Sequence, residues 1–360
     1  VYADDEPQVN AISAVLMDSE TGRVLWEKDC DKPMAMASTT KIMTCIIALE
    51  NGSLDDEVVV GKNATLAPPV KMYLTEGEKI RLEDLLYALM LQSSNDAAVA
   101  VAEHIGGSVE NFCEMMNTKA AELGCKDTVF ETPNGLDKGN HHSTAREMAV
   151  ITRYALKNEE FVRIINTPNA DFTTNKKHYA FANKDRLLTE YEGAMGVKTG
   201  FTGKAGHCFV GAAKRGDRQL ISVVLASGWG SVGKSRKWSD TKAILDYGFN
   251  NFEKTPIIQK GAELSAACVD RAKESSVPLA AEEDVSILMK KGENVDYKLK
   301  IDKPYFISAP VKKGDAVGKA DVYVNGNKIG ETKLVATRDI ERFCFEDNFK
   351  NIFKKWFLVE

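Results

Sequence analysis

Apolar residues along this chain are spaced in several distinct ways, and each spacing predicts a different element. Residues 9 to 29 read as a hairpin. Ala11-Ile12-Ser13-Ala14-Val15-Leu16-Met17 and Val24-Leu25-Trp26 flank a polar turn, Asp18-Ser19-Glu20-Thr21-Gly22. Helical spacing begins with Ile42, Ile46, Ile47 and Leu49, just after the polar run Ala37-Ser38-Thr39-Thr40-Lys41. From Leu54 to Ile80 the pattern is irregular, and Pro68-Pro69 breaks any helix there. Leu82, Leu85, Leu86, Leu89 and Met90 then form one stripe that stops at Gln92-Ser93-Ser94-Asn95-Asp96. A new helix is predicted from Ala97 to Gly106-Gly107, and two more over Val109 to Leu123 and Thr144 to Leu156. Strands return at Val197-Lys198-Thr199, His207 to Ala213 and Gln219 to Ala226, before a helix from about Lys237 to Tyr247. Strands, helices, strands, helix: this order predicts an α+β fold, one antiparallel sheet assembled from both ends of the domain with helices packed on it.

Near Asn251 the character changes. Val285 to Met289, Tyr297 to Ile301 and Asp321 to Val324 are short β-like runs, and Val324-Asn325-Gly326-Asn327 is a hairpin turn. A small all-β domain is expected here. The last residues differ again: Phe349, Ile352, Phe353, Trp356 and Phe357 make an i, i+3, i+4, i+7, i+8 stripe, with Lys350, Lys354 and Lys355 outside it. That is the pattern of a helix lying in a membrane interface. The expected organisation is a residual leader over 1–8, a catalytic domain over 9–252, a β-rich domain over 253–337 and an amphipathic anchoring helix over 338–360.

Composition narrows the classes. The chain has 360 residues, 44% hydrophobic and 28% charged, as in ordinary globular proteins. A formal net charge of −5 with no long basic run gives no footprint for nucleic acid. Val1-Tyr2-Ala3 before Asp4-Asp5-Glu6 reads as the end of a secretory signal, so export is expected. Seven cysteines, widely spaced and without C-x-x-C, fit neither a disulfide framework nor a zinc site.

The candidate chemistry starts at Ser38 and Lys41. One helical turn apart, hydroxyl and amine share a face, and an adjacent amine activates a weak nucleophile. Two further motifs follow in order: Ser93-Ser94-Asn95 in a loop between helices and Lys198-Thr199-Gly200 on a strand edge. An S-x-x-K, S-D-N, K-T-G set is shared by β-lactamases and penicillin-binding proteins. Ala37 to Met43, Leu85 to Gly107, Asn134-Gly135-Leu136 with His142-Ser143-Thr144-Ala145, and Gly196 to Cys208 all resemble the D-alanyl-D-alanine carboxypeptidases, low-molecular-weight penicillin-binding proteins of the bacterial cell wall. The β-rich segment and amphipathic tail resemble that family too. The resemblance implies a transpeptidase-like fold and an acyl-enzyme on Ser38, with Lys41 as base and Ser93 as proton relay. It implies that Asn95, Lys198, Thr199, Gly200 and Phe201 bind substrate, with the backbone N–H groups of Ser38 and Phe201 as oxyanion hole. Peptidoglycan pentapeptide stems are the implied substrate and β-lactam antibiotics the implied covalent inhibitors. The implied location is the outer face of the cytoplasmic membrane, reached through the C-terminal helix, with no cofactor and no metal. Ser94 stands where many β-lactamases have Asp and many carboxypeptidases Gly. Arg236 is a candidate for an additional substrate-binding arginine.

Rival readings have weaker support. A β-lactamase of class A needs a second-site Glu, and no E-x-x-L-N occurs between Ser93 and Lys198. Gly228-Trp229-Gly230-Ser231-Val232-Gly233-Lys234-Ser235 matches a phosphate loop, G-x-x-x-x-G-K-[ST]. The β-rich remainder of the chain lacks the strand–helix alternation that a nucleotide-binding sheet requires, so a glycine-rich strand-to-helix loop is expected there. A catalytically silent wall-binding protein would not need Ser38, Lys41, Ser93 and Lys198 intact. His104, His141, His142, His178 and His207 show no ligand spacing and read as surface or packing residues.

Overall fold

The structure is a computed structural model and describes residues 6–343. The chain divides into two compact units, Val1–Asn251 and Phe252–Glu360. The amphipathic stripe from Phe349 to Phe357 lies outside the described residues.

The first unit opens with the hairpin β1 (Ser13–Asp18) and β2 (Val24–Lys28). A tight 3₁₀ turn, Ala37–Thr40, leads into α1 (Lys41–Asn51). The region predicted as irregular holds a short ribbon, β3 (Glu57–Val59) with β4 (Lys79–Arg81), and a single-turn α2 (Lys62–Thr65). Then come α3 (Leu82–Tyr87), a wider π turn over Ala88–Gln92, α4 (Asn95–Gly106), α5 (Val109–Glu122), α6 (Ala145–Ala155) and α7 (Glu159–Asn166). A second ribbon, β5 (Asn169–Thr173) with β6 (His178–Ala182), and the short α8 (Leu187–Glu190) precede β7 (Ala194–Thr202), β8 (Gly206–Arg215) and β9 (Arg218–Leu225). The long α9 (Gly230–Asn251) closes the unit.

The main sheet runs β2-β1-β9-β8-β7 and is antiparallel throughout. As expected, the chain's start is zipped onto strands more than 200 residues later, with Ser13 opposite Leu225 and Asp18 opposite Leu220. Every residue of β1 is buried, which explains its unbroken apolar run: both faces of the strand are covered. Val15 and Met17 join the core made by the helical block. On the other face Leu16 meets α9 at Gly248, where a Cβ would lie 2.9 Å from a Leu16 methyl. Asp240 of α9 holds the incoming chain by accepting from the Asn10 and Ala11 N–H groups at 3.0 and 2.9 Å. Central α1 is buried from Lys41 to Ala48, so the Lys41 amine lies inside the fold. The strand carrying Lys198, β7, is an edge.

Of the Gly228–Ser235 stretch, Gly228 and Trp229 lie in the strand-to-helix connection and Gly230 to Ser235 form the first turns of α9. Its loop is closed by packing: Gly233 of α9 sits on Gly228, where a Cβ would come within 2.2 Å of the carbonyl carbon. The Gly228 carbonyl accepts from His207 N–H, which ties the loop to β8.

The second unit is all β: β10 (Phe252–Ile258), β11 (Glu263–Asp270), β12 (Ser276–Ala281), β13 (Val285–Lys290), β14 (Tyr297–Asp302), β15 (Phe306–Ser308), β16 (Ala316–Val324) and β17 (Asn327–Ala336). Six strands form a sheet in the order β14-β16-β17-β12-β11-β15, and β10 pairs with β13. The Asn325-Gly326 turn has φ of 49° and 82°, the left-handed pair that a two-residue hairpin demands. Cys30, Cys45, Cys113, Cys125 and Cys208 are buried free thiols, and Cys268 is a partly exposed one. Among the described residues no helix is long and apolar enough to cross a membrane, and no cluster of ligand-type side chains could hold a metal.

Candidate active site

Ser38 stands on the 3₁₀ turn before α1, and the turn is held in a strained entry. Ala37 has φ of +50°, unusual for a residue with a Cβ. Gly135 backs directly onto it: a Cβ there would fall 2.0 Å from the Ala37 carbonyl oxygen. Gly200 of β7 flanks the same turn, where a Cβ would lie 3.0 Å from the Ser38 amide nitrogen. The K-T-G glycine is therefore a spacing requirement that lets an edge strand run beside the serine.

Lys41 is buried one turn on, and its Nζ lies within hydrogen-bond distance of three oxygens. They are Ser38 Oγ at 3.0 Å, Asn95 Oδ1 at 2.8 Å and the Asn134 carbonyl at 2.6 Å. None of the three is an ion. Burial, with the nearby Lys198 charge, holds the Lys41 amine well below its usual pKa, against an opposing pull from Asp96. Asp96 is buried on α4, but its oxygens accept from the backbone N–H groups of Met72, Leu74 and Ala97, each at 3.0 Å. An uncharged amine has two N–H bonds and one lone pair. Asn95 and Asn134 can take the two N–H bonds, which leaves the lone pair for the Ser38 hydroxyl proton.

The Asn134 loop is itself anchored. His141 is buried, its Nδ1 accepts from Glu131 N–H at 3.0 Å, and its Nε2 therefore donates to Thr40 Oγ1 at 2.8 Å. Burial lowers its pKa to about 4, so this ring is a neutral strut. Thr44 Oγ1 donates to the Pro133 carbonyl at 2.6 Å. Two hydroxyls of the serine-bearing segment thus pin the loop whose carbonyl receives Lys41.

Ser93 ends the π turn in the left-handed region, φ 65° and ψ 35°, and is partly exposed. Helix α4 begins at Asn95, two residues earlier than the apolar stripe implied. Among the described residues Ser93 makes no direct hydrogen bond to Ser38 or Lys41. Asn95 joins the cluster directly and also donates to the Pro68 carbonyl at 3.0 Å.

On β7, Lys198 is buried and its Nζ donates to the carbonyl of Thr199 at 3.0 Å. Phe201 is half exposed and stacks on His207 at 4.3 Å between centroids. Arg236 is exposed; its neighbour on α9, Lys237, is the buried cation. Burial first, then the Lys237 and Lys184 charges, bring Lys198 down to about 7, while burial brings Lys237 down to about 8. Asp185, which no sequence motif marks, is coupled to both lysine charges. Burial raises its pKa to about 7, and the charges of Lys198 and Lys237 oppose that rise. Its Oδ1 accepts from Leu187 N–H at 2.8 Å, and its Oδ2 is buried with no hydrogen-bond partner. The segment around it bridges the site's two sides. Lys184 donates to the carbonyls of Leu91 and Gln92, just before Ser93, and Arg186 lies over the Trp238 ring beside Lys237.

Sequence comparison agrees with this geometry. Residues 1–228 match the family model described as D-alanyl-D-alanine carboxypeptidase, and residues 252–342 match the penicillin-binding protein 5 C-terminal domain. The chain is 35% identical over 353 residues to the D-alanyl-D-alanine carboxypeptidase DacF of Bacillus subtilis, covering 96% of this chain and 90% of that protein. It is 33% identical to DacC of Escherichia coli over 95% of this chain and 87% of that protein. Among solved structures, penicillin-binding protein 5 of Haemophilus influenzae aligns with a TM-score of 0.71 at 33% identity, covering 94% of this chain and 99% of that one. A penicillin-binding protein 3 of Streptococcus pneumoniae aligns with a TM-score of 0.76 at 26% identity, covering 93% and 100%. The chain belongs to the D-alanyl-D-alanine carboxypeptidase family of penicillin-binding proteins and is a serine-type hydrolase of that activity.

Proposed function

We propose that the enzyme removes the terminal D-alanine from peptidoglycan pentapeptide stems through an acyl-enzyme on Ser38. The observation that carries this reading is the buried Lys41 amine, 3.0 Å from Ser38 Oγ and bonded otherwise to neutral acceptors. Ser38 Oγ attacks the carbonyl between the two D-alanines as its proton passes to Lys41. The backbone N–H groups of Ser38 and Phe201 receive the oxyanion. Collapse of the tetrahedral intermediate breaks the C–N bond, and the proton reaches the departing D-alanine nitrogen through Ser93. Water then attacks the ester, with Lys41 again accepting the proton, and free Ser38 returns. Lys198 and Lys237 give the leaving residue's carboxylate a cationic seat, with Thr199 supplying a hydroxyl.

A β-lactam presents the same acyl group in a strained ring and acylates the same serine. Asp96, the acid whose charge acts on Lys41, accepts from three backbone N–H groups. The enzyme is exported and rests on the outer face of the cytoplasmic membrane through residues Phe349 to Leu358. Support for this location is the sequence pattern at the two ends of the chain. Labelled penicillin followed by peptide mapping tests the chemistry: the label is expected on Ser38, and label elsewhere, or none, sinks the mechanism.

A further inference from the structure

We propose that Tyr305 and Phe306 form a second membrane contact, through which the β-rich unit itself touches the bilayer surface. The inference rests on the membrane location proposed above and adds a surface to it. Tyr305 is 74% exposed and Phe306 62%, the most exposed adjacent aromatic pair among the described residues. Their rings meet edge to face at 4.7 Å, so the two present one apolar knob rather than two independent side chains. Lys303 stands two residues before them, partly exposed. An aromatic body with a polar tip beside a lysine is the composition that settles at the boundary of headgroups and acyl chains.

The chain's path says what covers the knob. Phe306 opens β15, the edge strand that lies parallel to β11, and is level with Cys268. The described chain ends close by. Arg342 pairs with Ala272, and Phe343 N–H donates to the Arg271 carbonyl at 2.7 Å, so the chain is running from Ala272 toward the β11 level of Phe306 when the description stops. Arg271 directly follows Asp270, which pairs with Ser308, two residues from Phe306. The stripe of Phe349, Ile352, Phe353, Trp356 and Phe357 begins only a few residues further on. A lipid surface that takes up that stripe is a few residues of chain away from the last described residue beside the knob. A single short interfacial segment gives only reversible binding, and a second apolar contact on the folded unit multiplies it.

The test is sedimentation of the full-length protein with vesicles of phosphatidylglycerol and phosphatidylethanolamine. Tyr305→Ser/Phe306→Ser is expected to weaken partition about tenfold, with the loss persisting in high salt because the contact is apolar. Turnover of a soluble peptide stays unchanged. Tyr297→Ser, an exposed tyrosine on the opposite edge strand β14, is expected to leave partition as it was. Unchanged partition of the double variant overturns the proposal, and so does raised partition, which would mean that the knob packs on the chain's own tail. Phe353→Ser/Trp356→Ser separates the two claims. If that variant loses binding while Tyr305→Ser/Phe306→Ser keeps it, the tail anchors alone and the knob proposal falls. If the unaltered protein does not bind vesicles at all, the membrane location falls with it.

Discussion

Two buried lysines serve one pocket, and their surroundings differ in kind. Around Lys41 every acceptor is neutral and every bond is made, so the folded site has no use for a charge there. Around Lys198 a second lysine, Lys237, is matched with one carboxylate, Asp185, one of whose oxygens has no partner. Burial is the first cause that lowers both amines. What separates them is that the first environment is complete without an anion, while the second has an excess of positive charge that an arriving carboxylate completes. In the proposed mechanism the same residue type is a base on one side and an anchor on the other.

The largest effect that would sharpen this contrast comes from removing one amine at a time. Lys41→Met should reduce kcat on the order of a thousandfold, the range typical of a lost general base, with little change in KM and with penicillin labelling abolished. Lys198→Met should act mainly on KM. Steady-state kinetics on a D-Ala-D-Ala peptide reads both, and the contrast breaks if the two variants lose the same parameter. Next in size is Lys237→Ala, expected to raise KM about tenfold, as for a lost hydrogen bond to a charged group. A peptide whose terminal carboxylate is amidated should show no such difference between wild type and variant.

The smallest effect is the most diagnostic. kcat/KM should rise with pH as Lys41 becomes neutral, then fall above about 7 to 8 as Lys198 and Lys237 lose their charge. Asp185 becomes negative over that same range, because burial has raised it to about 7, and so it helps Lys198 stay protonated. Asp185→Asn withdraws that help. Its falling limb should move to lower pH while the rising limb stays put, read from a pH profile of kcat/KM. A shift of both limbs would show that the two lysines are one electrostatic unit.

Much of this was legible before any coordinates. Ser38, Lys41, Asn95, Lys198 and Gly200 were marked by local spacing and by order along the chain, and the sheet's two-ended assembly followed from where apolar runs sat. Other parts carried no such mark. The Asn134 carbonyl is a backbone atom, the same in every residue, so only the fold reveals that it receives Lys41. Lys237 carries no mark in the sequence, because which cation of α9 is buried depends on the way the helix faces rather than on residue type. Asp185 lies in a polar stretch that reads as an ordinary loop. The helix α7 and the two ribbons went unseen because they are too short for periodicity to register. The apolar stripe before Ser93 marks the helix, yet its widening into a π turn depends on packing that no spacing rule encodes.

Cys45 lies one turn beyond Lys41 on the same helix, fully buried, with its thiol pushed up by burial. A thiol in that state meets an alkylating reagent only when the packing around it opens, so its labelling rate counts openings around the helix that carries Lys41. The sulfur is therefore a clock already installed beside the reaction centre. Compared before and after acylation by a β-lactam, its ticking would tell whether the covalent adduct merely blocks the serine or also quiets the helix on which the chemistry depends.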